Sequence, residues 1–132
     1  MTGDTLAIGI PTDLDTARAV LARGRTLATK LGLGWVAVLI RNRQAPAEAI
    51  RRLEELVVAT GGEVRCEESD DVADGLLEVS RREGVRLLVI GASHRPWLLR
   101  RFVRGTTERL LRAPRSFDVV VARNSPRQGA MH

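Results

Sequence analysis

Three short runs of this chain are apolar almost without interruption: Leu6-Ala7-Ile8-Gly9-Ile10, Trp35-Val36-Ala37-Val38-Leu39-Ile40 and Leu87-Leu88-Val89-Ile90. A strand with one wet face alternates apolar and polar residues, so runs without alternation belong to strands covered on both faces, as in a parallel sheet. The weaker run Glu63-Val64-Arg65-Cys66 and the run Val119-Val120-Val121 bring the strand candidates to five.

Amphipathic segments fill the intervals. Ala17, Val20, Leu21, Gly24, Leu27, Ala28 and Leu31 mark one face of a helix of about four turns at 3-4 spacing, with Gly32 where a C-cap belongs. The span 47–60 repeats the pattern with Ile50, Leu53 and Val57 and closes at Gly61-Gly62. Asp71 can cap a third helix carrying Val72, Leu76 and Val79 that stops near Gly84. A fourth, over about Thr106 to Arg112, ends before Pro114. The order β-α-β-α-β-α-β-α-β with right-handed crossovers predicts an α/β fold: an open, mostly parallel five-stranded sheet with helices on both faces. One domain is expected over residues 1–132, with a core at about 5–123 and a fraying tail from Asn124 to His132.

The single cysteine, Cys66, leaves no internal disulfide, and no paired Cys and His mark a zinc site. With no leading apolar run and no stretch of about 18 apolar residues, the expected location is cytoplasmic and the chain is not membrane-embedded, although it could be the soluble piece of a larger membrane protein. Of the 21 basic residues 20 are arginine, and four aromatics (Trp35, Trp97, Phe102, Phe117) offer no RNA-binding motif, so no specific nucleic acid is expected as partner.

Charge is concentrated. Residues 95–115 hold seven arginines (Arg95, Arg100, Arg101, Arg104, Arg109, Arg112, Arg115) against one acid, Glu108. This segment follows the turn Gly91-Ala92-Ser93-His94 and encloses Gly105-Thr106, which opens the fourth helix candidate. A strand ending in glycine, a small polar turn and a Gly-Thr pair at a helix start present backbone N–H groups and a hydroxyl to an anion such as phosphate. Arg95 and Arg104 flank the glycines and could serve as bidentate donors. In an open α/β sheet the ligand sits beyond the carboxyl ends of the strands, where strand order reverses. With strands one and four as the central pair, that crevice is lined by the turns after Ile10 and Ile90.

These residues resemble the universal stress protein family over roughly Leu6 to Ala122. Its nucleotide-binding members share a Gly-x2-Gly-x9-Gly-Ser/Thr pattern after the fourth strand. Gly91 matches its first glycine and Gly105-Thr106 its terminal pair; His94 stands at the second glycine, and ten residues separate it from Gly105. The resemblance implies strand order 3-2-1-4-5, a nucleoside contact from Asp13 in the turn Pro11-Thr12-Asp13, and a position covering adenine at Ile40. It also implies a homodimer through the last strand, at Val119, Val120 and Val121. Ile8-Gly9-Ile10-Pro11-Thr12-Asp13, Trp35-Val36-Ala37-Val38, Asp70-Asp71-Val72-Ala73, Gly91-Ala92-Ser93-His94-Arg95-Pro96-Trp97 and Arg104-Gly105-Thr106 are similar to the stress-protein domain of Kdp-type potassium sensor kinases.

Each site residue also has a plainer role. Gly91 can simply terminate a strand, Asp13 can cap the first helix, as Asp15 or Thr16 could, and Gly105-Thr106 can be a helix entry. Asp70-Asp71 reads as a helix cap, not a magnesium site. His94 has no nucleophile or orienting carboxylate apparent beside it, so it carries no catalytic expectation. Trp97, Leu98, Leu99, Phe102 and Val103 either fold over the core or form a lid or docking surface. The expected function is a regulatory domain, not an enzyme, that binds ATP or a related adenine nucleotide such as a cyclic dinucleotide and signals to a partner. The alternatives are a nucleotide-free interaction module using the arginine-rich surface and a slow nucleotide hydrolase.

Overall fold

The computed structural model describes residues 4–43, 45–91 and 117–122. In chain order these form β1 (Thr5–Ile10), α1 (Leu14–Leu31), β2 (Gly34–Arg41), α2 (Ala47–Ala59), β3 (Glu63–Glu68), α3 (Val72–Glu83), β4 (Leu87–Gly91) and β5 (Asp118–Ala122). The strands make one sheet in the order β3-β2-β1-β4-β5, and every pairing is parallel. The fold class and strand order expected above are therefore the ones observed. The fourth helix candidate and the apolar stretch around Trp97 lie outside the described residues.

Why the central runs lack alternation is visible in what covers them. Leu6, Ile8, Ile10, Ala37, Leu39 and Val89 face Ala17, Val20, Leu21 and Ala28 of α1 and Ile50, Leu53 and Val57 of α2. On the opposite face Ala7, Val36, Val38, Ile40, Leu88 and Ile90 pack against Leu76, Leu77 and Val79 of α3. β1 is buried from Leu6 to Ile10 and β2 from Val36 to Ile40, because neither face meets water. β3 is an edge strand and only partly buried, which accounts for its polar sequence. Its charges are paired: Arg65 with Glu63 and Glu83, and Glu67 with Arg82, whose pKa that hydrogen bond raises.

α1 starts earlier than the apolar spacing predicts, at Leu14, and runs 18 residues, about a turn longer than expected, because Asp13 caps it ahead of the first core residue. It ends where expected: Gly32 adopts φ 70, a left-handed conformation, and its neighbour Leu33 donates back to the Ala28 carbonyl at 2.8 Å. Gly84, at φ 67, closes α3 in the same way.

The tightest helix-to-sheet approach is at Gly24 of α1. A Cβ there would lie 2.5 Å from Ile8 Cδ1 and 2.7 Å from Cγ1, and Ile8 is fully buried. The absence of a side chain at Gly24 therefore sets the distance of α1 from β1. Gly24→Val should destabilise the domain by about 2 kcal/mol or more through overpacking. Ile8→Ala alone should cost about 2–5 kcal/mol. Urea unfolding of the double mutant should give less than the sum by over about 1 kcal/mol, and strict additivity would refute this contact.

Candidate functional site

The order β3-β2-β1-β4-β5 reverses direction between β1 and β4, so the crevice rule points to their carboxyl ends. The β1–β4 ladder ends early there. β1 pairs with β2 as far as Ile10↔Leu39, and β4 with β5 as far as Gly91↔Ala122. Between β1 and β4 the register runs only from Leu6↔Leu87 to Ile8↔Val89. The two central strands thus stop pairing two residues short of their ends, which leaves a gap in the ladder between Ile10 and Gly91.

The turn Pro11-Thr12-Asp13 rises from one side of that gap. Pro11 is half-buried, and Thr12 and Asp13 are exposed. Asp13 is the N-cap of α1: its Oδ2 accepts from the Thr16 backbone N–H at 3.0 Å and from the Thr16 hydroxyl at 2.6 Å. Of the three capping candidates in the sequence, Asp13 is the one that caps; Asp15 sits in the first turn and Thr16 is the hydrogen-bond donor. Thr16 is only 2% exposed. A carboxylate over the positive end of α1 already complements the helix dipole there. This turn accordingly offers acceptors, suited to hydroxyl or amino groups, more than it offers a phosphate site.

Gly91 forms the other side. A Cβ on it would sit 3.2 Å from Val20 Cβ and 3.6 Å from Thr16 Cγ2, so the strand end lies directly on the first turns of α1. Gly91 is thus both the last residue of β4 and a close-approach position against the helix that Asp13 caps. Thr16 joins the two sides, hydrogen bonding to Asp13 and lying, after Val20, next to the space beside Gly91. Sequence reading weighed Thr16 only as a cap; its Asp-x-x-Thr spacing is the signal of its actual part.

On the α3 face, glycines again set the packing. Cβ atoms at Gly9 and Gly75 would meet Leu76 at 3.2 Å and Ile40 Cδ1 at 2.8 Å. The Ile40 side chain is 3% exposed and lies on this face, away from Thr16 and Gly91. What Ile40 brings to the carboxyl edge is its backbone, since it is the first residue of β2 past β1's last register partner. Nearby, Asp71 caps α3 by accepting from the Asp74 N–H at 3.2 Å, as its position before the helix predicts. Asp70 lies 4.0 Å from Arg43, and among the described residues no His, Cys, Asp and Glu cluster could hold a metal ion.

The structure therefore brings together Pro11, Thr12, Asp13 and Gly91 at one gap and places Ile40 beside it. Ser93, His94, Arg95, Arg104, Gly105 and Thr106 lie outside the described residues. No protein-family model and no curated protein matches the chain. No described helix is long and apolar enough to cross a membrane.

Capping and ligand contact by Asp13 are separable. Asp13→Ala should cost about 1 kcal/mol in denaturant unfolding, whereas Asp13→Ser, which retains a capping oxygen, should cost only a few tenths. Equal losses in the two variants would show that capping is not what Asp13 contributes to stability.

Proposed function

We propose that this domain is a regulatory module of the universal stress protein type, similar to the stress-protein domain of Kdp-type sensor kinases, that binds ATP or a related adenine nucleotide such as a cyclic dinucleotide. The observation that carries the reading is the early end of the β1–β4 register at the point where strand order reverses. The nucleoside lies over the Pro11-Thr12-Asp13 turn, with Asp13 accepting from a hydroxyl and the free edge of β2 at Ile40 meeting the base. The phosphates run away from the capped end of α1, past Gly91, toward Ser93, His94, Gly105 and Thr106, where Arg95 and Arg104 neutralise them. The domain is cytoplasmic, and its output is a change in partner binding, not turnover.

Native mass spectrometry of freshly purified protein should reveal a retained adenine nucleotide. Gly105→Val places a branched side chain where backbone approaches phosphate, and in calorimetry it should weaken ATP or cyclic-dinucleotide binding by about tenfold or more, with the unfolding midpoint little changed. Unchanged affinity would remove this site.

The same reading includes a homodimer through β5. The two sheet edges differ: β3 carries Glu63, Arg65, Glu67 and Glu68, charges that discourage strand addition, whereas β5 reads Asp-Val-Val-Val-Ala with Val119 and Val120 half-buried. An isologous pairing of β5 with its copy would cover Val119, Val120 and Val121. The Asp118 N–H donates to the Arg86 carbonyl, so by alternation the Val120 N–H also faces β4 and the Val119 N–H faces the free edge. Val119→Pro removes that edge donor and should convert dimer to monomer in light scattering; a parent that is monomeric at micromolar concentration, or a dimeric proline variant, would rule this interface out.

A further inference from the structure

The ion pairs of the described residues are unevenly distributed. Every described cation from Arg41 to Arg65 has a carboxylate partner: Arg41 with Glu68, Arg43 with Asp70, Arg51 with Glu48 and Glu55, Arg52 with Glu48, and Arg65 with Glu63 and Glu83. Helix α1 contrasts with this stretch. Its four cations, Arg18, Arg23, Arg25 and Lys30, are all exposed, and none forms an ion pair among the described residues; Arg81 and Arg86, single exposed cations elsewhere, likewise form none there. Arg25 instead lies over the Trp35 ring, 6.0 Å from its centroid. The rest of the chain has little to offer them: residues 1–3, 44, 92–116 and 123–132 contain a single acid, Glu108, among nine arginines.

The four cations are also ordered. Arg18 and Arg25 are seven residues apart, as are Arg23 and Lys30. Seven residues are two helical turns, about 10.5 Å of rise, so each pair forms a row along the helix. Between the rows run Ala19, Ala22, Thr26 and Thr29, spaced 3-4-3, all at least partly exposed. In heptad terms these are a and d positions, Arg18 and Arg25 are g, and Arg23 and Lys30 are e. Flanking charges at e and g are the groups that select a partner helix in paired helices. Asp15 lies one turn before this stretch and belongs to the favourable first turn of α1.

We propose that the outer face of α1 is a docking surface for an acidic helix of a partner protein, whose Glu or Asp side chains at e and g meet Arg18, Arg25, Arg23 and Lys30. The two unpaired cationic rows supply the charge complementarity, and the low floor between them lets a second helix axis approach to about 8 Å. The alanine and threonine floor has no long apolar side chain to enter a bilayer and no aromatic for a base to stack on, which separates an acidic helix from an anionic lipid surface or a nucleic acid. Little apolar area is at stake, so binding is electrostatic, modest in affinity and weakened by salt. Docking on this surface does not require a nucleotide in the gap between β1 and β4.

The probe is a labelled synthetic helical peptide of about four heptads with alanine at a and d, glutamate at e and g and neutral residues elsewhere. It is titrated with the full chain by fluorescence anisotropy at low salt. The peptide should bind saturably, and Arg18→Glu with Arg25→Glu, or Arg23→Glu with Lys30→Glu, should each weaken binding by about tenfold or more. Arg81→Glu, an exposed position on α3, should change it less than about twofold. Ala22→Lys separates a seated helix from a diffuse field: it adds a cation but fills the floor, so it should weaken binding if the helix seats there. The inference is overturned if the peptide does not bind, if Arg81→Glu acts like the α1 reversals, or if Ala22→Lys strengthens binding. Tighter, α1-dependent binding to phosphatidylglycerol vesicles or to a DNA duplex than to the peptide would also overturn it.

Discussion

A parallel sheet has no face that can be left wet, and the rest of this domain follows from that requirement. Because β1, β2 and β4 are apolar on both sides, the described connections cross over the sheet and deliver α1 and α2 to one face and α3 to the other. Parallel crossovers in turn place the carboxyl ends of all the strands along one edge. Building outward from β1 in two directions makes the order reverse between β1 and β4, and that is where their pairing ends early. The gap is thus a geometric result of burying hydrophobic strands, present before any particular side chain is chosen to line it.

How closely the helices sit on the sheet is decided by residues that contribute almost no surface. Gly24 admits Ile8, Gly75 admits Ile40, Gly9 admits Leu76, and Gly91 lies against Val20. At Gly24 and Gly75 a core side chain occupies the space a Cβ would need, and at Gly9 Leu76 stands 3.2 Å from that position. At Gly91 the same device brings the end of β4 onto the helix whose cap is Asp13, so the packing of the core and the walls of the gap share residues. Substitutions at these glycines therefore act on core packing and site geometry together, whereas substitutions at the exposed Thr12 touch the edge alone.

Strands and helices were legible in the sequence because their patterns repeat: uninterrupted apolar runs for the central strands, 3-4 spacing for the helices, Gly32 and Gly84 as stops. β3 was faint, since an edge strand is not obliged to be apolar, and its identity rests on register with β2 more than on its own residues. The start of α1 stayed open among Asp13, Asp15 and Thr16 because a cap is set by one hydrogen-bonding residue outside the apolar period, and Asp13 is the one that serves. At the site, sequence reading left Asp13 open between cap and ligand contact; the geometry makes it the cap through Thr16. Ile40 was legible as a strand end, but the direction of its side chain depends on the pleat and on Gly75 beneath it, which spacing alone does not reveal.

Helix α1 connects the two surfaces that matter most here. Its first turn, with Thr16 hydrogen-bonded to Asp13 and packed near Gly91, forms one wall of the gap; its outer face carries Arg18, Arg23, Arg25 and Lys30, which form no ion pair among the described residues. Gly24 fixes the helix against Ile8 midway between the two ends, so a displacement at the cap cannot be absorbed by sliding over a loose interface. A ligand that drew the Asp13 carboxylate away from Thr16 would loosen the first turn and leave the remainder seated on Ile8. Its effect would then fall mainly on Arg18, one turn inside the cap, and least on Lys30 at the far end. Coupling between the gap and the outer face should accordingly be graded along α1, strongest in the row that begins at Arg18.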